Sequence, residues 1–438
     1  MIAQFPTPRL RRWLSLYKAA WIIGFPLILI YLWRRGQKDA LYLQHLKERF
    51  GTHKPMPKSV WIHAVSLGEM RSAVPLVRAL LDRGETVVTT HFTPTGRREA
   101  ERVFADEIAA GRLRAVWVPF EFRWTYAKFF RAFTPKYGLV MEVEIWPAMI
   151  TECRRKGVPL FMCNAQYPSK SYERDQTKTP ARADLMRGFA GALVKSALQR
   201  DRFASVGVTN IAITGETRFE QPIPAELPVA GVAARAWMAP DRPVITIASA
   251  VEGEDEVYID AIKATRGENA PLFVYVPRKP ERFAEVATML RDAGLYVVNR
   301  TACFDAFLQG RGNAPQVDVL LGDSIGEMYF YLAMADKVIV GGGFTPYGAH
   351  NVIEPLAMKK PVIVGPDIHT IEYPAVEAIT AGVCTHVQST DELINAIGAD
   401  PQADPDQIDA FFTEHTGAVQ KTLAAIDAFT TRESHHRH

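Results

Sequence analysis

The sequence predicts two α/β domains facing a cleft, behind an N-terminal helix that anchors the chain to a membrane. Three observations predict this. The 438 residues exceed what one ordinary hydrophobic core accommodates. Short apolar runs alternate with amphipathic helical patterns through most of the chain, as parallel sheets with crossover helices require. Near the start, 19-AAWIIGFPLILIYLW-33 is an unbroken apolar run.

That run is flanked by Arg9, Arg11 and Arg12 on one side and Arg34, Arg35 and Lys38 on the other. A bilayer span needs about 20 apolar residues, and this run is somewhat short. No small-residue cleavage site follows, against a cleaved signal peptide. Positive charge on both flanks sets no orientation. The expectation is an anchor dipping into the cytoplasmic leaflet, its arginines at anionic headgroups. Residues 40–51 then read as a helix stopping at Gly51.

In the first α/β half the strand candidates are residues 60–65, 86–92, 115–120, 138–143, 159–164 and 191–196, with an amphipathic helix over 71–84. The stretch 219-FEQPIPAELPVAG-231 carries three prolines and reads as a linker. Alternation resumes with 243–250, 271–277, 295–299, 317–323, 337–343 and 361–365. A last helix is expected over 405–428, packing across the domain junction, before a disordered polar tail, 431–438. The expected segments are therefore 1–50 (anchor and following helix), 51–222 (first domain), 223–410 (second domain) and 411–438 (final helix and tail).

Composition narrows the function. A net charge of +3 is too mild to argue for nucleic acid, but suits a surface meeting acidic lipid or an anionic substrate. Cys153, Cys163, Cys303 and Cys384 form no CxxC pair and no zinc spacing, so a reducing compartment is expected. Cys163 lies in an apolar run and reads as a buried thiol. The histidines of the tail read as disordered rather than metal-binding.

Six stretches carry candidate chemistry. In 66-SLGE-69 the pattern S-x-x-E is a capping box, the commoner reading. It also follows a strand, which places Glu69 at the carboxyl edge where ligands of open α/β sheets bind; the helix N-terminus would keep it ionised, as a base requires. In 341-GGGFTPYGAHNVIEPLA-357 glycines follow a strand and a helix opens near His350, an arrangement suited to an anion. In 322-GDSIGE-327, Asp323 and Glu327 read either as reciprocal helix caps or as flanking backbone offered to a nucleotide. In 277-PRKPERF-283 three basic residues follow a strand, facing a phosphate or solvent. Glu142 and Glu144 in 141-MEVEIWP-147 have strand spacing, placing two carboxylates on one face; a cationic transition state or salt bridges to Arg154 or Lys156 would explain them. Arg218, before the linker, either leans into the cleft or is solvated. No D-x-D at a strand end points to a metal-held diphosphate, and no G-x-S-x-G elbow points to acyl transfer.

Taken in order, HAVSLGE, EVEIWP, PRKPER, GDSIGE and GGGFTPYGAHNVIEPLA resemble the motifs of the lipid A-specific 3-deoxy-D-manno-octulosonic acid (Kdo) transferases of Gram-negative bacteria. The resemblance runs from the anchor to the last helix. It implies a GT-B glycosyltransferase with two Rossmann-like domains at the cytoplasmic face of the inner membrane. It implies transfer of Kdo from CMP-Kdo to the lipid A precursor (lipid IVA) in lipopolysaccharide biosynthesis, with inversion, without metal, and with no cofactor beyond the donor. The family's general base matches Glu69, and its transition-state glutamate matches Glu142. Arg218 stands where the family usually has lysine. Its CMP contacts match Pro277 and Arg278, then Ile325, Gly326 and Glu327, then Asn351, Val352, Ile353 and Glu354. In that scheme Arg218 and Arg278 neutralise the Kdo carboxylate and leaving phosphate, and the helix N-terminus near Asn351 holds the phosphate. The chain departs from the family pattern at Gln166, where a basic residue is lost, and at Lys195, Val251 and Lys279. These departures leave room for a diverged GT-B enzyme with another sugar nucleotide or acceptor. A non-catalytic membrane-bound lipid-binding module is the alternative from a different class.

Overall fold

The structure, a computed structural model, describes residues 5–178, 180–267, 269–400 and 403–435. The chain divides into two units, Met1–Gln221 with Thr416–His438, and Pro222–His415.

The first unit begins with α1 (Pro8–Lys38), which contains the apolar run and is, among the described residues, the one helix long and apolar enough to cross a membrane. Its inward face recurs at helical spacing. Leu10, Leu14 and Leu32 are buried, Tyr17 bonds Glu121, and Trp21 and Phe25 pack on Phe122 and Phe120. The helix therefore lies along the first unit over most of its length. Its outward face leaves Leu16, Ile23 and Leu27 at least 69% exposed. The single helix expected over 40–51 is instead a 3-10 turn, Ala40–Leu43, and a short helix, Leu46–Arg49. The chain does turn at Gly51, where φ is +75° and a Cβ would lie 2.1 Å from the Thr125 carbonyl oxygen.

The sheet that follows is parallel, in the order β3-β2-β1-β4-β5-β6-β7. Its strands are β1 (Val60–His63), β2 (Val87–His91), β3 (Leu113–Trp117), β4 (Tyr137–Met141), β5 (Leu160–Ala165), β6 (Gly191–Val194) and β7 (Ile211–Ile213). Two helices position the site: α2 (Leu67–Asp82) after β1 and α3 (Pro147–Lys156) after β4. α2 starts four residues before the expected 71 because Ser66 caps it. β4 stops at Met141 rather than running to 143, since Glu142 takes a left-handed φ of +58° that ends the ladder.

The second unit opens with α4 (Glu226–Met238), so half of the expected linker is helix. Pro228 is tolerated because it lies in the first turn, where the missing N–H would have no partner. Its sheet, also parallel, has the order β10-β11-β9-β8-β12-β13-β14. The strands are β8 (Val244–Ala250), β9 (Leu272–Pro277), β10 (Val297–Asn299), β11 (Val319–Leu321), β12 (Lys337–Val340), β13 (Val362–Val364) and β14 (Cys384–His386). The helices that matter below are α5 (Met328–Met334) and α6 (Ile353–Ala357). The stretch 405–428 forms two helices, α7 (Pro405–Glu414) and α8 (Ala418–His435), broken at Gly417 with φ +84°. α8 belongs to the first unit, where Val419, Leu423 and Ile426 are buried and Phe429 stacks on Phe161 of β5. Residues 431–435, expected to be disordered, continue α8; the last three lie outside the described residues.

All four cysteines are buried, Cys163 within β5.

Candidate functional site

In the first sheet the connections reverse direction between β1 and β4, the switch point where open parallel sheets leave a crevice. Glu69 follows β1, and Glu142 and Glu144 follow β4, so the three carboxylates gather at that point. Glu69 does belong to a helix cap. Its Oε2 accepts the Val65 N–H at 2.7 Å, its Oε1 accepts the Ser66 hydroxyl at 3.1 Å, and its own N–H reaches Ser66 Oγ at 3.4 Å. No cation is paired with it among the described residues. Burial first, then the charges of Glu142 and Glu144, push its pKa up to about 8. This corrects the expectation that the helix N-terminus keeps it ionised at neutral pH: the two cap hydrogen bonds pull the other way but are outweighed. A carboxyl tuned near neutrality is a stronger base than a free one.

Glu142 and Glu144 do not sit on a strand as expected but in the loop from β4 to α3. Glu144 accepts the Trp146 indole N–H at 2.8 Å, and burial raises its pKa. Glu142 pairs with Arg218 Nη2 at 2.8 Å, not with Arg154 or Lys156. Arg218 is thus held at the site rather than solvated, its Nε also donating to Ser72 Oγ on α2 at 2.6 Å.

Behind this pair lies a polar group that sequence reasoning passed over. Glu216 is 1% exposed. It accepts Asn164 Nδ2 at 2.6 Å and the Arg218 N–H at 3.2 Å, and it pairs with Lys195 Nζ at 2.6 Å. Burial alone would raise its pKa; Lys195 and Arg218 hold it below the usual range. Lys195 also donates to Gln166 Oε1 at 3.2 Å. Two of the departures from the family pattern therefore meet: the positive charge missing at 166 is supplied from 195.

In the second sheet the reversal falls between β8 and β12. β12 leads into Gly341–Gly342–Gly343. Gly342 has φ +94°, and a Cβ there would lie 2.4 Å from the Gly348 carbonyl oxygen. Beneath the loop is fully buried Glu254, which takes the Gly342 N–H on both oxygens at 2.8 Å and the Val251 N–H at 2.9 Å. Glu254 was not singled out from the sequence; its signal is a carboxylate with no surface to face, legible only once the loop is folded over it.

Pro277 ends β9 and is buried; Arg278 beyond it is exposed and donates from Nη1 to His350 Nδ1 at 2.6 Å. Burial and that guanidinium lower the His350 pKa to about 4, so the ring is neutral. With Nδ1 accepting, the proton sits on Nε2, which is buried and has no hydrogen-bond partner among the described residues. Arg282, expected to face either a phosphate or solvent, instead turns inward, 2.7 Å from Asp255.

The expected helix opening near His350 begins only at Ile353 and spans five residues, so its dipole lends little field to an anion. Asn351 Oδ1 caps it through the Ile353 N–H at 2.9 Å. Val352 and Ile353 are buried, and Glu354 lies in the first turn. Ile325 is 76% exposed, and Gly326 has φ +85°. Glu327 pairs with Arg300 at 2.5 Å and accepts the Ser324 hydroxyl; it is not a reciprocal cap for Asp323, which instead takes the Thr301 N–H at 2.9 Å. Among the described residues no three His, Cys, Asp or Glu side chains group as metal ligands.

Residues 44–221 match the profile of the family described as 3-Deoxy-D-manno-octulosonic-acid transferase (kdotransferase). A 3-deoxy-D-manno-octulosonic acid transferase of Bordetella pertussis is 37% identical over 92% of this chain and 96% of its own length. One from Haemophilus influenzae is 31% identical over 83% of this chain and 84% of its own length. Among solved structures, a glycosyltransferase from Rickettsia africae aligns with 85% of this chain and 98% of its own at a TM-score of 0.58 and 12% identity, a likeness of fold alone.

Proposed function

The chain belongs to the 3-deoxy-D-manno-octulosonic acid transferase family and is a GT-B glycosyltransferase of lipopolysaccharide biosynthesis, and from that premise we propose that it moves Kdo from CMP-Kdo to the lipid A precursor, with inversion and without a metal ion. The observation that carries the proposal is Glu69: a buried carboxyl, free of any paired cation among the described residues, at a sheet switch point, with its pKa pushed up to about 8. It removes the proton from the acceptor hydroxyl as that oxygen attacks the anomeric carbon. The Val65 N–H and Ser66 hydroxyl hold the carboxylate in one orientation. Arg218, fixed between Glu142 and Ser72, offers positive charge to the Kdo carboxylate, and Glu142 faces the cationic sugar.

The second unit holds the nucleotide. Arg278, the neutral His350 and the glycine loop braced by Glu254 take the phosphate, with the backbone of Ile325 to Glu327 and of Asn351 to Glu354 around the cytidine. The phosphate is held by these groups rather than by the dipole of α6. At the membrane, α1 lies in the plane of the cytoplasmic leaflet of the inner membrane, its docked face on the first unit and its exposed face, Leu16, Ile23 and Leu27, in the acyl region.

The experiment is a time course of product formation from purified protein, CMP-Kdo and tetraacylated lipid A precursor, with and without a chelator, the product read by mass and its anomeric configuration by NMR. The expected result is an added Kdo, opposite in anomeric configuration to the donor, at the same rate in both arms. Failure to transfer, together with thermal protection by UDP rather than CMP, overturns the reading in favour of another sugar nucleotide.

A further inference from the structure

A cavity of about 390 Å³ lies in the first unit between α1 and the edge of the sheet. Ile28 and Leu32 of α1 form one wall, Val118 and Phe120 another, and Trp146 a third. Its size is that of a small-molecule pocket, about 300–1,000 Å³. The lining is almost wholly apolar; besides Tyr31, which is 44% exposed, and Trp146, whose indole N–H is taken by Glu144, its polar side-chain groups are two buried donors. Arg49 lines the cavity yet is 1% exposed, and its Nε has no hydrogen-bond partner among the described residues. The Trp21 Nε1–H, also at the lining, is buried and equally without an acceptor.

Arg49 has no ion-pair partner among the described residues. Its guanidinium lies over the Trp117 ring at 4.3 Å and reaches the Phe92 carbonyl only at 3.5 Å. Burial lowers its pKa to about 10, the mark of a charge kept from water. Buried donors of this kind normally find an acceptor. An occupant that suits the whole cavity has a long apolar body and acceptor oxygens at one point. The cavity also opens beside the hydrocarbon phase proposed above, for Leu27 lines it while standing 69% exposed on the outward side of α1. On its far side Trp146 donates to Glu144, one of the carboxylates that acts on Glu69.

We propose that this cavity receives one fatty acyl chain of the acceptor, its ester or amide carbonyl oxygen accepting from Arg49 and Trp21, so that α1 is a wall of the acceptor site as well as an anchor. The proposal rests on the lipid-acceptor reading above. It makes acyl recognition a task of the first unit, and it positions the acceptor hydroxyl by seating a chain some distance from the reacting atoms.

The test uses the full chain in detergent, with Ile28→Phe to fill the cavity and Arg49→Leu to remove the donor. Two readouts are taken. The first is the ratio of kcat/KM for the acylated acceptor over a de-acylated one, expected to fall about tenfold or more in each variant. The second is quenching of tryptophan fluorescence by ω-bromododecanoic acid, whose bromine would lie near Trp21 and Trp146; it is expected in the parent and weakened in Ile28→Phe. An unchanged ratio in both variants overturns the proposal, as does the absence of quenching in the parent. If the parent transfers nothing to any acylated acceptor, the functional reading fails, and the quenching arm alone then decides whether the cavity holds an acyl chain.

Discussion

Replacing Glu69 by glutamine is expected to stabilise the protein and inactivate it at once. The side chain is 8% exposed, and its surroundings raise its pKa from 4.5 to about 8. Between those values the folded chain keeps a proton that the unfolded chain has released. The contribution to stability is therefore complete below about pH 4.5 and is lost as the pH rises through about 8. At about 1.36 kcal/mol per pH unit, the loss above pH 8 approaches 5 kcal/mol at most. Glutamine has the same shape, can keep the Val65 N–H on its amide oxygen while its amide N–H donates to Ser66 Oγ, and carries no charge to bury. In urea unfolding, Glu69→Gln should exceed the parent by a few kcal/mol at about pH 9 and match it at about pH 5. Transfer of Kdo, read as CMP released or product formed, should fall by a factor of about 10² or more. The parent should reach about a tenth of its plateau rate at pH 7, with an acid limb near 8. A glutamine variant that transfers at the parent rate, or that loses stability equally at both pH values, would show Glu69 to be a helix cap and nothing more.

Three further outcomes follow from the same geometry. Lys195→Met leaves the buried Glu216 unpaired and should destabilise by about 3–5 kcal/mol in thermal unfolding; adding Gln166→Arg should restore part of that loss, and no restoration would mean the two positions do not share one charge. Gly342→Ala forces a Cβ to within 2.4 Å of the Gly348 carbonyl oxygen at a φ of +94°, so CMP should protect the variant from heat much less than the parent; equal protection would remove the loop from the nucleotide site. Ile23→Glu places a charge where the side chain is 79% exposed, so the fold should persist while the protein shifts from the membrane pellet to the supernatant; unchanged sedimentation would place the membrane contact elsewhere.

The α/β alternation was legible because strands buried on both faces read as continuous apolar runs, and those runs located all but two of the strands. β7 and β14 escaped: each has three residues at a sheet edge, and β14 reads Cys-Thr-His, with no apolar run to detect. Glu69 was legible through its place after a strand, but its protonation was not. The capping pattern is local in sequence, whereas Glu142 and Glu144 arrive from a distant loop. The glycine loop was visible, but the brace beneath it, Glu254, was not, because a buried carboxylate reveals itself only by the N–H groups folded onto it. The roles of Arg282 and Asp323 were misassigned for a related reason: a charged residue after a strand looks alike whether it faces a ligand or, as with Asp255 and Thr301, a neighbouring element.

The return of α8 to the first unit bears on how the chain is made. A ribosome releases α1 before residues 222–415 and the helix bearing Val419, Leu423 and Ile426 after them. At about 5–20 residues per second, the nascent polypeptide waits roughly 10–40 s with α1 already emerged and an apolar groove still empty. A premature stop anywhere before Val419 therefore leaves that groove without α8, although every strand of the first sheet has been made.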